Sequence, residues 1–410
     1  MRNILLLTVA FVMLTATELA AQSNTELEPR DFERGWYIGL QGGIPTAEAT
    51  FSSFGADRFR PGWEAGLHAG YRFNHILAVE ATAAIGQVFM GEQDCCFDSD
   101  YLLGVYDETR TGGIRFKLDP EGEFLSDDKD TPTPPWATLR TLEEASRRFE
   151  NDEDALNETW LKQLLKPGSS LGGARPKATV ADTGGQLWIA KFPSKHDENN
   201  TGAWEKTVHD LARMCGLNVP ESKLETFSKL GSTFLVRRFD REGEQRIHFA
   251  SAMTLLGKSD GASAADGTGY LDLAAFLRGY GARPREDLVE LWKRIVFNMA
   301  VSNTDDHLRN HAFLLTKVGW VLSPLFDVNP VPYGDELSLN VNADDNRISI
   351  PLAISAAVHF GITEGRAKEL ASEILSVVRE NWELIAKGYH LTRSQIEDMR
   401  PAFSACYDAF

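Results

Sequence analysis

A chain of 410 residues is longer than one average hydrophobic core supports, so two or three domains are expected. Hydrophobic content of 43% and charged content of 25% are those of a folded protein and exclude a disordered one. A net charge of -17 excludes bulk attraction to phosphate, and no direct nucleic-acid binding is expected.

At the front, Arg2 precedes an apolar run from Ile4 to Leu14, followed by "TATELAAQS". This has the length and order of a secretory signal over residues 1–21, with cleavage after Ala21, although Leu19 is larger than the small residue such sites prefer. Residues 22–100 have another texture. "GWYIGLQGG", "GWEAGLHAGYRF" and "ILAVEATAAIG" alternate at period two and are dense in glycine and aromatics. They resemble the start of small outer-membrane barrel proteins. A membrane barrel needs about eight strands to leave no edge unpaired in lipid, so this segment cannot close one alone. A β-hairpin appendage is the expected form, and membrane contact is expected only through this end. Cys95, Cys96, Cys215 and Cys406 form no disulfide framework and no C-x-x-C metal pair.

The texture changes at Tyr101. "YLLGVYDETRTGGIRFK" predicts a strand, a turn from Asp107 to Thr109, and a second strand ending at Lys117. A Pro- and Asp-rich connector follows. Leu139, Leu142, Ala145 and Phe149 then recur at helical spacing. Beyond Ser169 strands and helices alternate as in an α+β enzyme.

Within "SSLGGARPKATVAD", Gly172 and Gly173 let a backbone turn approach an anion, and Arg175 and Lys177 add positive charge. Leu187 to Ala190 form a short apolar strand that ends on Lys191. A lysine on so apolar a run needs a counter-ion or a ligand phosphate. Glu205 opens the helix of "WEKTVHDLARMCGL", expected to end near Gly216. A strand lysine followed by a helix glutamate is the ion pair with which protein kinases hold nucleotide phosphates. "STFLVRRFDR" is an apolar strand running into a polar connection, where a kinase hinge would hold adenine. "EDLVELWKRIVFNMAVSN" is an amphipathic helix, with Leu288, Leu291, Ile295 and Met299 on one face. "NTDDHLRN" is a loop, "HAFLL" a buried strand, and "GWVLSPLFDVNP" another strand ending at Asp327. Asp305 and Asn310 have the Asp-x-x-x-x-Asn spacing of a kinase catalytic loop, and Asp327 stands where the later metal-binding acid belongs, without its glycine.

Taken together, "SLGGARPK", "IAKFPS", "LVRRFDR", "NTDDHLRNHAFLL" and "LSPLFDVNP" resemble the HipA family, the serine/threonine kinase toxins of bacterial toxin–antitoxin systems, over residues 101–410. The resemblance implies a bilobal, protein-kinase-related α+β fold with a mostly helical C-terminal lobe. Residues 101–136 would be a remnant of the family's N-terminal subdomain with its connector, 137–240 the N-lobe and 241–410 the C-lobe. ATP and Mg2+ are the implied cofactors. Asp305 would be the catalytic base, with Asn310 and Asp327 as magnesium ligands. Lys191 would contact the phosphates, paired with Glu205. The turn of Gly172, Gly173, Ala174, Arg175, Pro176 and Lys177 would cover them, and Arg237, Arg238 and Phe239 would form the hinge. His307 belongs to the same nucleotide-binding set, with a structural place in the loop. Ser170 occupies the position at which family members phosphorylate themselves. The implied substrate is a serine of a translation-related protein such as an aminoacyl-tRNA synthetase, and the implied partner a HipB-like DNA-binding antitoxin. The chain departs from the family at its front, where a signal and barrel-like strands replace the small N-terminal subdomain, as in a gene fusion.

Two further readings follow from the same residues. The chain is an exported outer-membrane protein carrying an inactive kinase-like part, or a small-molecule kinase of related fold. Kinase chemistry points to the cytoplasm, where ATP is, and the signal points to export.

Overall fold

In the computed structural model the described residues are 35–43, 60–72, 78–89, 103–125, 133–150 and 175–407. The chain divides into two compact units, Met1–Asp98 and Ser99–Phe410. In the first, β1 (Gly35–Gly43), β2 (Arg60–Arg72) and β3 (Ala78–Phe89) pair antiparallel in the order β1-β2-β3. The period-two alternation of these segments is what a pleated strand requires. Among the described residues they form an open sheet and no closed barrel.

The second unit begins with a departure from expectation. The turn at 107–109 forms, but the strand expected to end at Lys117 does not, and Phe116 makes only an isolated bridge to Leu125. The reason lies in competing donors. Arg238 donates to Thr109 O at 2.6 Å and Arg241 to Arg110 O at 2.6 Å, while the Gly112 N–H donates to Asp240 Oδ2 at 2.8 Å. Backbone groups satisfied by side chains have no need of a ladder.

Helix α1 (Leu139–Glu150) buries Leu139, Leu142 and Ala145, as their spacing predicts. It shares a small core with a four-stranded antiparallel sheet of β4 (Lys177–Ala181), β5 (Leu187–Lys191), β6 (Ser222–Glu225) and β7 (Thr233–Arg237), ordered β4-β5-β7-β6. Between β5 and β6 runs α2 (Thr201–Met214), capped by the Asn200 side chain on the Ala203 N–H. Glu205 therefore lies in its second turn and does not open it.

A larger core joins α2 to the helical part of the unit. After the short pair β8 (Arg241–Glu242) and β9 (Gln245–Arg246) come β10 (Phe249–Ser251), α3 (Ala252–Leu255), α4 (Tyr270–Tyr280) and α5 (Pro284–Ala300). Strand β11 (Ala312–Thr316) pairs with β10 on one side and β12 (Gly319–Leu322) on the other, and α6 (Ile350–Ala356), α7 (Glu364–Gly388) and α8 (Arg393–Met399) close the unit. Leu288, Leu291, Ile295 and Met299 are all buried on α5, whose first turn carries Pro284, Glu286 and Asp287. Strand β12 ends at Leu322, short of the expected Asp327. Pro324 interrupts it, and Asp327 sits at φ 56, left-handed backbone that no strand accommodates. The whole is the mixed helix-and-sheet architecture expected.

Candidate functional site

Strand β5 delivers Lys191 to the point where sheet, helix and a later loop meet. Its Nζ donates to Glu205 Oε1 at 2.5 Å and to Asp327 Oδ1 at 2.6 Å. Lys191 and Glu205 are buried, whereas the Asp327 side chain is 40% exposed and opens the group to solvent. Lys191 holds the Asp327 carboxyl well below its ordinary value, to about 2, against the opposing effect of burial. Burial pushes Glu205 up. It would pull Lys191 down, but Asp327 and Glu205 outweigh it and the ammonium is stabilised. Lys177, the first residue of β4, faces Lys191 in register across the sheet. Burial and then the neighbouring Lys191 charge lower its pKa, and it adds to the positive field on Asp327.

The loop after α5 builds the second half of the site. Ser302 turns the chain through left-handed backbone at φ 46, and the Asn303 N–H closes onto Asn298 O at 2.8 Å. Of the two adjacent acids, Asp305 points outward with 78% of its side chain exposed, 3.9 Å from His307 Nε2. Asp306 is buried, and its Oδ2 accepts from Tyr270 Oη, Asn298 Nδ2 and His311 Nε2. Of the two, only Asp305 is open to solvent. Asn310 ends a short 3-10 turn and is buried. Its Nδ2 donates to Asp305 O at 2.9 Å, so the amide oxygen is the atom left to face a cation.

The two halves are linked. Asn329 Nδ2 lies 3.5 Å from Asp327 Oδ1, its backbone N–H donates to Asn303 Oδ1 at 3.3 Å, and the charge of His307 also lowers the Asp327 pKa. Thus Lys191, Glu205 and Asp327 are in direct contact, and Asp305, His307 and Asn310 form an adjoining loop tied to them through asparagines.

Other expected residues have other partners. Arg175 forms an ion pair with Asp197, and Pro176 O accepts from the Phe192 N–H. Ser170, Gly172, Gly173 and Ala174 lie outside the described residues. The Arg237 guanidinium donates to Gln186 Oε1, and Arg238 is buried on Asp240 and Thr109 O. Phe239 packs on Phe249 and on Phe326, the residue before Asp327. Asp306, Asn298, Asn303 and Asn329 join the site without a role assigned to them from sequence. A signal existed for Asn298, an amide on the apolar face of α5 beside Ile295 and Met299, where burial demands a partner.

Among the described residues no cluster of three or more acid, His or Cys side chains could hold a metal ion. One ionised carboxylate and one amide oxygen suit a hard cation that takes its remaining ligands from phosphate and water, as magnesium does.

Residues 169–382 match the family model described as the HipA-like C-terminal domain. The protein named "Putative kinase Y4mE" of Sinorhizobium fredii is 32% identical over 157 residues, covering 36% of this chain and 35% of its own length. A "Putative kinase" of Haemophilus influenzae is 26% identical over 194 residues, covering 42% of this chain and 56% of its own. The chain thus spans about a third to just over half of these curated relatives. Among solved structures, a chain of the Shewanella oneidensis toxin–antitoxin complex of HipA, HipB and operator DNA superposes with a TM-score of 0.53 at 17% identity. The match covers 77% of this chain and 78% of that one, and it supports the fold.

Proposed function

The chain belongs to the HipA-like C-terminal domain family, and on that premise we propose that its second unit is an ATP- and magnesium-dependent protein kinase. The observation that carries the reading is Lys191 held at once by Glu205 and Asp327, a cation presented by a strand, braced by a helix and aimed at an acid beside solvent. Lys191, with Lys177 across the sheet, would take the nucleotide phosphates. Asp327 and the Asn310 oxygen would hold magnesium, whose charge would offset that of the phosphates. Asp305 accepts the proton of the acceptor hydroxyl as that oxygen bonds to the γ-phosphorus. The bond from phosphorus to the β,γ-bridging oxygen breaks, and ADP leaves with the electron pair.

The acceptor class is a serine of a translation-related protein such as an aminoacyl-tRNA synthetase, with Ser170 as a self-phosphorylation position. The open setting of Asp305, 78% exposed, supports a macromolecular acceptor over a small molecule. The solved neighbour in complex with HipB and operator DNA supports a HipB-like partner, which would supply the DNA contact that an acidic chain does not. ATP supply places this activity in the cytoplasm, and the signal-like residues 1–21 set an export route against it.

The test is transfer of labelled γ-phosphate from ATP to protein by the full chain, with phosphoserine mapped by mass spectrometry. Asp305→Asn should slow transfer by roughly 10²- to 10⁴-fold, the usual range for a general base, with ATP binding retained by calorimetry. Equal rates in both proteins would refute the assignment.

A further inference from the structure

Between Asp306 and Asp327 the structure holds a run of amides, buried at Asn298 and Asn303 and half-buried at Asn329. Asp306 Oδ2 accepts from Asn298 Nδ2 at 2.6 Å, and Asn298 Oδ1 accepts from Asn303 Nδ2 at 3.1 Å. Asn303 Oδ1 then accepts from the Asn329 backbone N–H at 3.3 Å, and Asn329 Nδ2 reaches Asp327 Oδ1 at 3.5 Å. Asn298, Asn303 and Asp306 are 0%, 0% and 1% exposed, so the Asn298 and Asn303 amides are bound to their neighbours with no water to replace them. An amide suits this role because it donates from one atom and accepts at another, so Asn303 and Asn298 each pass the run on towards Asp306, while Asn329 donates both to Asn303 and to Asp327. His311 Nε2 and Tyr270 Oη anchor its far end on Asp306. Backbone strain falls beside its middle and at one end, with Ser302 at φ 46 next to Asn303 and Asp327 at φ 56. Left-handed backbone in non-glycine residues persists where the surroundings over-determine it, and here the amides do so.

We propose that Asn303, with Asn298, is a positioning residue that locks the loop of Asp305 to the segment of Asp327, so that base and metal-binding acid keep a fixed separation. The proposal deepens the kinase reading and rests on it only for its kinetic consequence.

The test is amide hydrogen exchange on the full chain, with Asn303→Ala and Asn303→Asp beside the unsubstituted protein. In Asn303→Ala the Asn329 amide, deprived of its acceptor, should exchange roughly fivefold faster, and the amides of His307 and Asn310 in the Asp305 loop should accelerate with it. Asn303→Asp keeps the acceptor for Asn329 and loses the donor to Asn298, so Asn329 should stay protected while the loop amides accelerate. Unchanged exchange at Asn329 in Asn303→Ala overturns the proposal. If that variant loosens throughout α5, the aspartate variant decides, and equal acceleration at Asn329 and in the loop there overturns it too. In the kinetic arm, Asn303→Ala should lower phosphate transfer about 10- to 100-fold and raise the magnesium concentration for half-maximal rate, as loss of a group supporting a metal ligand does. An unchanged magnesium requirement counts against the proposal. If the unsubstituted chain transfers no phosphate, the kinase reading falls, and the exchange measurement still decides the lock.

Discussion

Lys191 carries one positive charge between two carboxylates, and the three environments differ. Glu205 is buried, Asp327 is partly open, and the lysine lies between. Replacing Lys191 by Met leaves Glu205 buried without its cation, which should cost about 3–5 kcal/mol, measured as a lower urea midpoint. An unaltered midpoint would show that the pair contributes nothing to folding. His209 and Asp327 are two of the residues that shape the acid side of the stability curve. His209 is buried, with Nδ1 on Ser222 Oγ at 3.0 Å, and burial lowers its pKa from 6.5 to about 4. Between those values the unfolded chain binds a proton that the folded one refuses. Stability should therefore fall as pH drops through this window, by up to about 1.4 kcal/mol per pH unit from this one group. Asp327, held at about 2 against an ordinary 3.8, adds stability above pH 4 that is lost as pH falls from there towards 2. His209→Gln should flatten the upper window alone. Urea midpoints at pH 4, 5, 6 and 7 check this, and a slope matching the parent from 4 to 6.5 would discard it.

At the scale of elements, α2 governs how firmly the ion pair is held. From Gly202 to Ala212 every residue of the helix is buried, with the sheet on one side and α7 on the other. Gly202 is where the helix meets β7, since a Cβ there would lie 2.0 Å from Ser232 O. Gly202→Ala should push helix and strand apart, costing about 1–3 kcal/mol by denaturant unfolding. It should weaken ATP binding as Glu205 moves, and unchanged stability and binding would sink this account. Such contacts explain what was legible. The stripe of Leu288, Leu291, Ile295 and Met299 was readable because helix period is local. The start of α2 lies four residues before Glu205, because the cap is Asn200 and a cap is set by the local turn, not by the acid that stands out in sequence. The end of β12 is not legible from spacing, since Asp327 looks like a strand end in sequence while Pro324 and the turned backbone set it apart.

Across the whole molecule, residues 103–117 belong with the second unit and are clasped by arginines. Asp240 holds the clasp together, binding Arg238, Arg241 and the Gly112 N–H from a position only 3% exposed. The two guanidiniums and that N–H keep its carboxyl ionised against burial. Asp240→Ala would strand two buried cations, so it should cost about 3–5 kcal/mol and expose the Gly112 amide to exchange. Protection of Gly112 equal to the parent would mean that the segment is held by other contacts. The front strands form a sheet of their own in the other unit.

Residue type and spacing alone determined that this chain would carry a strand lysine, a helix glutamate and an Asp-x-x-x-x-Asn loop, because periodicity and turn preference act over a few neighbours. Tertiary structure decided which of two adjacent acids faces solvent, and which carboxylates share Lys191. It also turned Arg238 into a clasp on distant backbone. Those choices depend on groups far apart in sequence, 136 residues in the case of Lys191 and Asp327. Burial fixes such pairings, since a buried charge or amide must find its partner wherever the fold brings one.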